Sequence, residues 1–280
     1  MNQVRIIAYG VILSFLTIGG YVRSDRQQAL AESTEQGSLS LVVNGEDFVR
    51  QGFVSKDGWS INFAHVYVNL GEAIAYSTTS FEPQPEDTKE NIQYQNSVDF
   101  QPLKSPADLA AGQNDAQPIV VAEAMATPGF YNALAWKLST ADDTSVMPGN
   151  TISLIGQATK DGKTVDFELG FNQPVEYVCG EFVGDSRLGI VAPQTPAKVE
   201  ATLHFDHIFG DRDSPLEDAL NQDALGFQPF ADLASNGEIK LQPADLSTQL
   251  SASDYQQLTD AILGLGHVGE GHCVINQTKQ

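Results

Sequence analysis

Trp59 to Tyr76 reads W-S-I-N-F-A-H-V-Y-V-N-L-G-E-A-I-A-Y, the longest stretch of strand-forming character in the chain. A pleated strand sends successive side chains to opposite faces, and β-branched and aromatic residues fit that surface best. On a period of two, Ile61, Phe63, His65 and Tyr67 share one face, and Ala64, Val66, Val68 and Leu70 share the other. Both faces are largely apolar, the pattern of a central strand covered on both sides. Gly71 interrupts the run where a bulge or bend is expected.

Further strand patterns lie on either side. Ser38–Val43 alternates, and Asn44-Gly45-Glu46-Asp47 reads as a turn after it. Downstream come Ile119–Ala126, Phe130–Leu138, Thr151–Thr159, Lys163–Phe171, Pro174–Cys179 and Ala197–Phe209. Lys160-Asp161-Gly162 between two of these is a strong hairpin signal. Strands at this spacing, with no long helical pattern among them, predict a mainly β fold. The expected architecture is an antiparallel, immunoglobulin-like β-sandwich over 38–209, carrying a polar insertion at 77–118. Within that insertion Ser105-Pro106 reads as the start of a short helix. The pattern changes over 210–280, where Asp213-Ser214-Pro215 and Gln228–Ala234 read as short helices. The best helix opens at Ser253, with Tyr255, Leu258, Ile262 and Leu265 on one stripe, and ends at Gly264 and Gly266.

The 280 residues carry 15 Lys+Arg against 36 Asp+Glu, a net charge of −21, spread along the chain. Such a charge disfavours nucleic acid and anionic membrane faces and is compatible with cations. Met1–Arg5 is short and basic, Ile6–Val22 is apolar, and Ala29-Leu30-Ala31 offers small residues for cleavage, so 1–31 reads as an export signal. An uncleaved N-terminal anchor is the alternative, and no further membrane insertion is expected. The expected location is therefore periplasmic or extracellular. Of the two cysteines, Cys179 and Cys273, an oxidising compartment predicts one disulfide stapling the C-terminal region to a strand. The competing role for Cys273 is a thiolate ligand beside His272.

Four of the five histidines fall in two close pairs. His204 and His207 lie in L-H-F-D-H-I-F-G-D, and His267 and His272 lie in G-L-G-H-V-G-E-G-H-C, with Glu270 between the latter two. Neutral imidazole binds divalent transition metals near neutral pH without first losing a proton. The expected ligand set is His65, His204, His207, His267, His272 and Glu270. Zinc is expected ahead of Cu²⁺, since the donors are imidazole and carboxylate. His204 and His207, three apart, reach one ion only where the strand ends or bulges near Asp206. Taken singly, His65 fits a hydrogen-bonded core residue and His204 a surface residue. The functional expectation is an exported metal-binding protein, with the ion itself and a membrane transporter or receptor as partners. The second reading is a non-catalytic sandwich module that binds a protein or glycan through 77–118. A metal-dependent hydrolase using Glu270 as base ranks last, because no catalytic motif accompanies it.

Overall fold

The structure is a computed structural model that describes residues 35–111 and 118–276. The export-signal reading of 1–31 lies outside these residues. The chain is mainly β, and most of its strand pairs are antiparallel. The stretch Trp59–Tyr76 forms two strands, Ser60–Val68 and Leu70–Ser77, which belong to different sheets. Asn69 is the switch between them. Its N–H donates to Thr151 O (2.9 Å), its carbonyl accepts from Ser139 N (3.0 Å) and its side chain donates to Ser139 O (2.9 Å). Each sheet thus gains a central strand from one continuous apolar run.

The first sheet runs Gly271–His272, Gly266–Val268, Pro196–Leu203, Gly37–Asn44, Ile119–Ala126, and the pair Gly37–Asn44/Pro196–Leu203 is parallel. The second runs Glu238–Leu241, Lys163–Phe171, Ile152–Lys160, Ser60–Val68, Phe53–Val54, with Glu238–Leu241 parallel to its neighbour. The third runs Val274–Asn276, Val175–Cys179, Ala133–Leu138, Leu70–Ser77, Asn96–Asp99. A two-stranded sheet, Ile190–Val191 with Gly129–Phe130, completes the set among the described residues; four sheets with two parallel pairs stand in place of the expected antiparallel sandwich, and the strand orders do not establish an immunoglobulin-type arrangement. Helices are short except for Ala252–Leu263, and one of them, Glu46–Gln51, stands where a turn was expected.

Two irregularities shape the central stretch. At Gly71 the pairing with Ala133–Leu138 slips by one residue, the expected bulge, and a Cβ there would meet Ser139 Oγ at 2.1 Å. A second slip leaves Ala64 unpaired, because His65 sits opposite Ile155 and Phe63 opposite Gly156. The extra residue resets the alternation. Ile61, Val66 and Val68 are buried, while His65 is turned outward. Only glycine fits opposite this bulge, since a Cβ on Gly156 would lie 2.2 Å from Asn62 O.

The 77–118 segment is less detached than its composition suggests. Asn96–Asp99 adds a strand to the third sheet, and Ile92 and Phe100 are buried. Ala107–Asp108 pairs with Tyr67 and Val68, so no helix follows Ser105-Pro106. Most buried hydrophobic residues form one large cluster, and Tyr76, Ile92, Ala133, Ala135 and Val178 form a second, smaller one. The large cluster holds an aromatic group in which Phe63 meets Phe167, Phe205 and Phe209, and Phe227 meets Phe167 and Phe209, at 5.4–6.4 Å between ring centroids. Burial of each such ring contributes on the order of 2–3 kcal/mol. Phe205 and Phe209 therefore anchor the chain where strand Pro196–Leu203 ends.

Candidate metal centre

Strand Pro196–Leu203 stops at Leu203, and the chain turns into the short helix Asp206–Phe209. His204 N–H donates to Leu265 O (3.1 Å) and His207 N–H to His204 O (3.2 Å). Phe205, Ile208 and Phe209 are all fully buried and fix the turn. Period-two geometry would have sent His204 and His207 to opposite faces. The helical turn brings them to the same side, with ring centroids 6.0 Å apart.

The other pair arrives on a hairpin. Helix Ala252–Leu263 is capped by Ser251, whose side chain accepts from Asp254 N, and it buries Leu258, Ala261 and Ile262. The hairpin Gly266–Val268/Gly271–His272 follows directly, with His267 opposite both Thr202 and His272. Two glycines are required by the space. A Cβ on Gly266 would lie 2.3 Å from the ring of Tyr177, and one on Gly269 (φ +59°) would lie 2.0 Å from Val183 O. Cys179 and Cys273 form the expected disulfide, so Cys273 is not a thiolate donor. It joins the residue after the hairpin to the third sheet.

One ring nitrogen from each of His204, His207 and His267 lies within 4.8 Å of the others, a group that could hold a metal ion. The His204 and His267 rings stack at 4.0 Å and 10°, while His207 meets both edge-on, at 85° and 87°. His272 stands 4.3 Å from His267, ring centre to ring centre, and is exposed. The nitrogens are short of partners. Both nitrogens of His267 and Nε2 of His204 are buried without a hydrogen bond, as is Oδ1 of Asp206. Buried polar atoms are rarely left so, and each one costs about 1–3 kcal/mol.

Burial lowers the His267 value to about 2, with the positive potential of His204, His272 and His207 adding to the effect. Burial likewise lowers His207 to about 4, again with His204 and His272 contributing. Both imidazoles are therefore neutral, the form that binds metals. For His204 burial also pulls downward, but Glu46, 3.4 Å from Nε2, together with Asp206 and Glu270, outweighs it and the net shift is upward. At 3.4 Å this contact is an ion-pair distance rather than a good hydrogen bond. Burial raises the Asp206 carboxyl.

The cluster forms the floor of a cavity of about 610 Å³. Its walls carry Asp218, Asp223, Asp260 and Glu270 and, among the described residues, no lysine or arginine. The C-terminal end of helix Ala252–Leu263 also faces it at Gly264, and its partial negative charge favours a cation. Of the six residues expected to bind metal, His204, His207 and His267 form the group, and His272 and Glu270 line the same cavity. His65 is elsewhere. Its Nδ1 is 2.8 Å from Asp108 Oδ2, and its ring stacks on Tyr67 at 5.1 Å. The bulge at Ala64 turns it outward, and it is neither a core residue nor a neighbour of the other five. Sequence reasoning missed Glu46 and Asp206. Asp206 lies between two candidate ligands, a signal that was available; nothing local pointed to Glu46.

Compared with protein-family models, with curated proteins and with solved structures, the chain has no match.

Proposed function

We propose that this chain is an exported protein that binds one transition-metal ion, zinc ahead of copper, through His204, His207 and His267. His272 and Glu270 stand at the open side of the ion, where a further ligand or water completes the shell. The observation that carries this reading is the convergence of one ring nitrogen each from His204, His207 and His267, with both nitrogens of the buried His267 lacking hydrogen-bond partners. One ion takes one nitrogen from each ring, and so gives a partner to a His267 nitrogen that ordinary packing leaves stranded. The donor chemistry supports zinc or Cu²⁺ over Cu(I), because both cysteines are consumed in the disulfide and no methionine among the described residues lines the cavity. Export is supported by that disulfide and by the N-terminal pattern of 1–31. No helix among the described residues is long and apolar enough to cross a membrane.

The test is metal content. The chain purified without chelator, then dialysed against zinc and analysed by mass spectrometry, is expected to hold about one equivalent. The double variant His207→Ala/His267→Ala is expected to hold none while keeping its folded circular-dichroism spectrum. Equal, sub-stoichiometric zinc in both proteins overturns the reading.

A further inference from the structure

Glu46 comes from the far end of the chain, yet its carboxylate is the group facing Nε2 of His204. Its backbone is unusual. Glu46 has φ +60°, in the left-handed region that non-glycine residues seldom occupy. Such conformations persist only where the surroundings over-determine them, and they gather at functional sites. The surroundings here are a chain of polar contacts. Glu46 N–H donates to Asn44 Oδ1 (3.0 Å), and Asn44 Nδ2 donates to Glu200 Oε1 (2.9 Å). Thr202 Oγ1 reaches the same Glu200 oxygen at 3.5 Å and accepts from Gly269 N–H at 2.9 Å. Glu200 and Thr202 are buried. Gly269 is the turn of the hairpin that carries His267 and His272. One partly buried network therefore ties Glu46, with its left-handed backbone, to the histidine hairpin.

Resting on the metal-binding reading above, we infer that Glu46 is the positioning residue for His204. Its carboxylate holds the Nε2 proton and so presents Nδ1 to the ion. A metal-bound imidazole ordinarily gives its second N–H to a carboxylate or carbonyl, which fixes the tautomer and ring plane and makes the donor nitrogen more basic. Nε2 is sealed from solvent and has no other partner, whereas the same ring also lines the cavity. Glu46 is not part of that lining and is not one of the grouped ligands. Its place is behind His204 rather than on the ion.

The test titrates zinc into the full-length wild type and the Glu46→Ala and Glu46→Gln variants, in competition with a chromophoric chelator. Melting of the metal-free proteins is followed in parallel. Glu46→Ala is expected to weaken zinc binding about 10–100-fold at unchanged stoichiometry. Glu46→Gln keeps an acceptor for the Nε2 proton and is expected to recover part of that loss. Cobalt(II) bound to Glu46→Ala is expected to show shifted visible bands, the signature of a reoriented ligand. If wild type binds zinc and Glu46→Ala binds it equally well, the inference fails and the metal site stands. If both variants lose affinity alike and their metal-free forms melt well below wild type, Glu46 is a structural prop and the inference also fails. If wild type binds no zinc, it is the metal reading itself that falls.

Discussion

His267 carries the sharpest conflict between stability and function. Its ring is 2% exposed and neither nitrogen has a partner, so the metal-free protein is expected to gain stability when the ring is replaced by a hydrocarbon. His267→Leu is predicted to raise the metal-free melting temperature, equivalent to about 1–3 kcal/mol, and to abolish zinc binding. A lower melting temperature in calorimetry would show that the ring is satisfied in a way the structure does not contain. The histidines also set a pH dependence. His267 and His207 have folded values near 2 and 4, below the usual 6.5. As pH falls through 6.5 the unfolded chain takes up protons that the folded chain refuses, so folding stability is lost from there downward. His204, shifted upward, changes stability only above that window, and Asp206, shifted upward by burial, opposes the trend near its lower end. The metal-free protein is therefore predicted to melt at a lower temperature at pH 5 than at pH 7.5. A flat profile would mean that the two imidazoles are open to solvent. At this scale the histidine cluster was legible from residue type and pairing, except that nothing in the sequence said which side of the Ala64 bulge His65 would face. That bulge depends on Gly156, in a strand far along the chain.

The histidine hairpin is held by its turn and by its disulfide. Gly269→Ala places a methyl where Val183 O stands, at 2.0 Å, and in a backbone conformation that L-residues resist. It is predicted to weaken zinc binding at least tenfold, while Gly162→Ala, with open space around its Cβ, serves as the control. Equal affinities in the two variants would separate the hairpin from the site. The Cys179–Cys273 bridge spans a sequence separation of 94, and closing a loop of that size contributes on the order of 4–5 kcal/mol in the chain-entropy model. Cys179→Ser/Cys273→Ser is predicted to lower the melting temperature and, by freeing the end of the hairpin, to weaken zinc binding as well. Elements with strong local signals were readable. Lys160-Asp161-Gly162 is a tight turn with Asp161 and Gly162 both at positive φ, and the long C-terminal helix ends at Gly264 as its glycine announces. Helix Glu46–Gln51 and strand Glu238–Leu241 were not, because each is short and owes its form to a distant partner. The long apolar run predicted a central strand but held no mark at Asn69 of a change of sheet.

The whole molecule presents a strongly negative surface to an approaching cation. With a net charge of −21 and a cavity walled by carboxylates, association with zinc is expected to slow as ionic strength rises through the range where the Debye length falls below about 10 Å. Stopped-flow rates that ignore salt would limit the acidic walls to a solvating role. The architecture also explains why a site spread over four places in the chain was only partly visible in sequence. The strand that presents His204 runs parallel to the strand before Glu46, the hairpin pairs with its other edge, and the disulfide closes the group against the third sheet. Composition and periodicity predicted a β-rich molecule; nonlocal pairing decided which loops would meet. Zinc held by three imidazoles has a distinct signature in X-ray absorption at the zinc edge of the loaded protein. The expected spectrum has nitrogen and oxygen neighbours at about 2.0–2.1 Å, outer-shell scattering from about three imidazole rings, and no sulfur near about 2.3 Å. A shell of oxygens alone, with no imidazole scattering, would contradict a three-imidazole site.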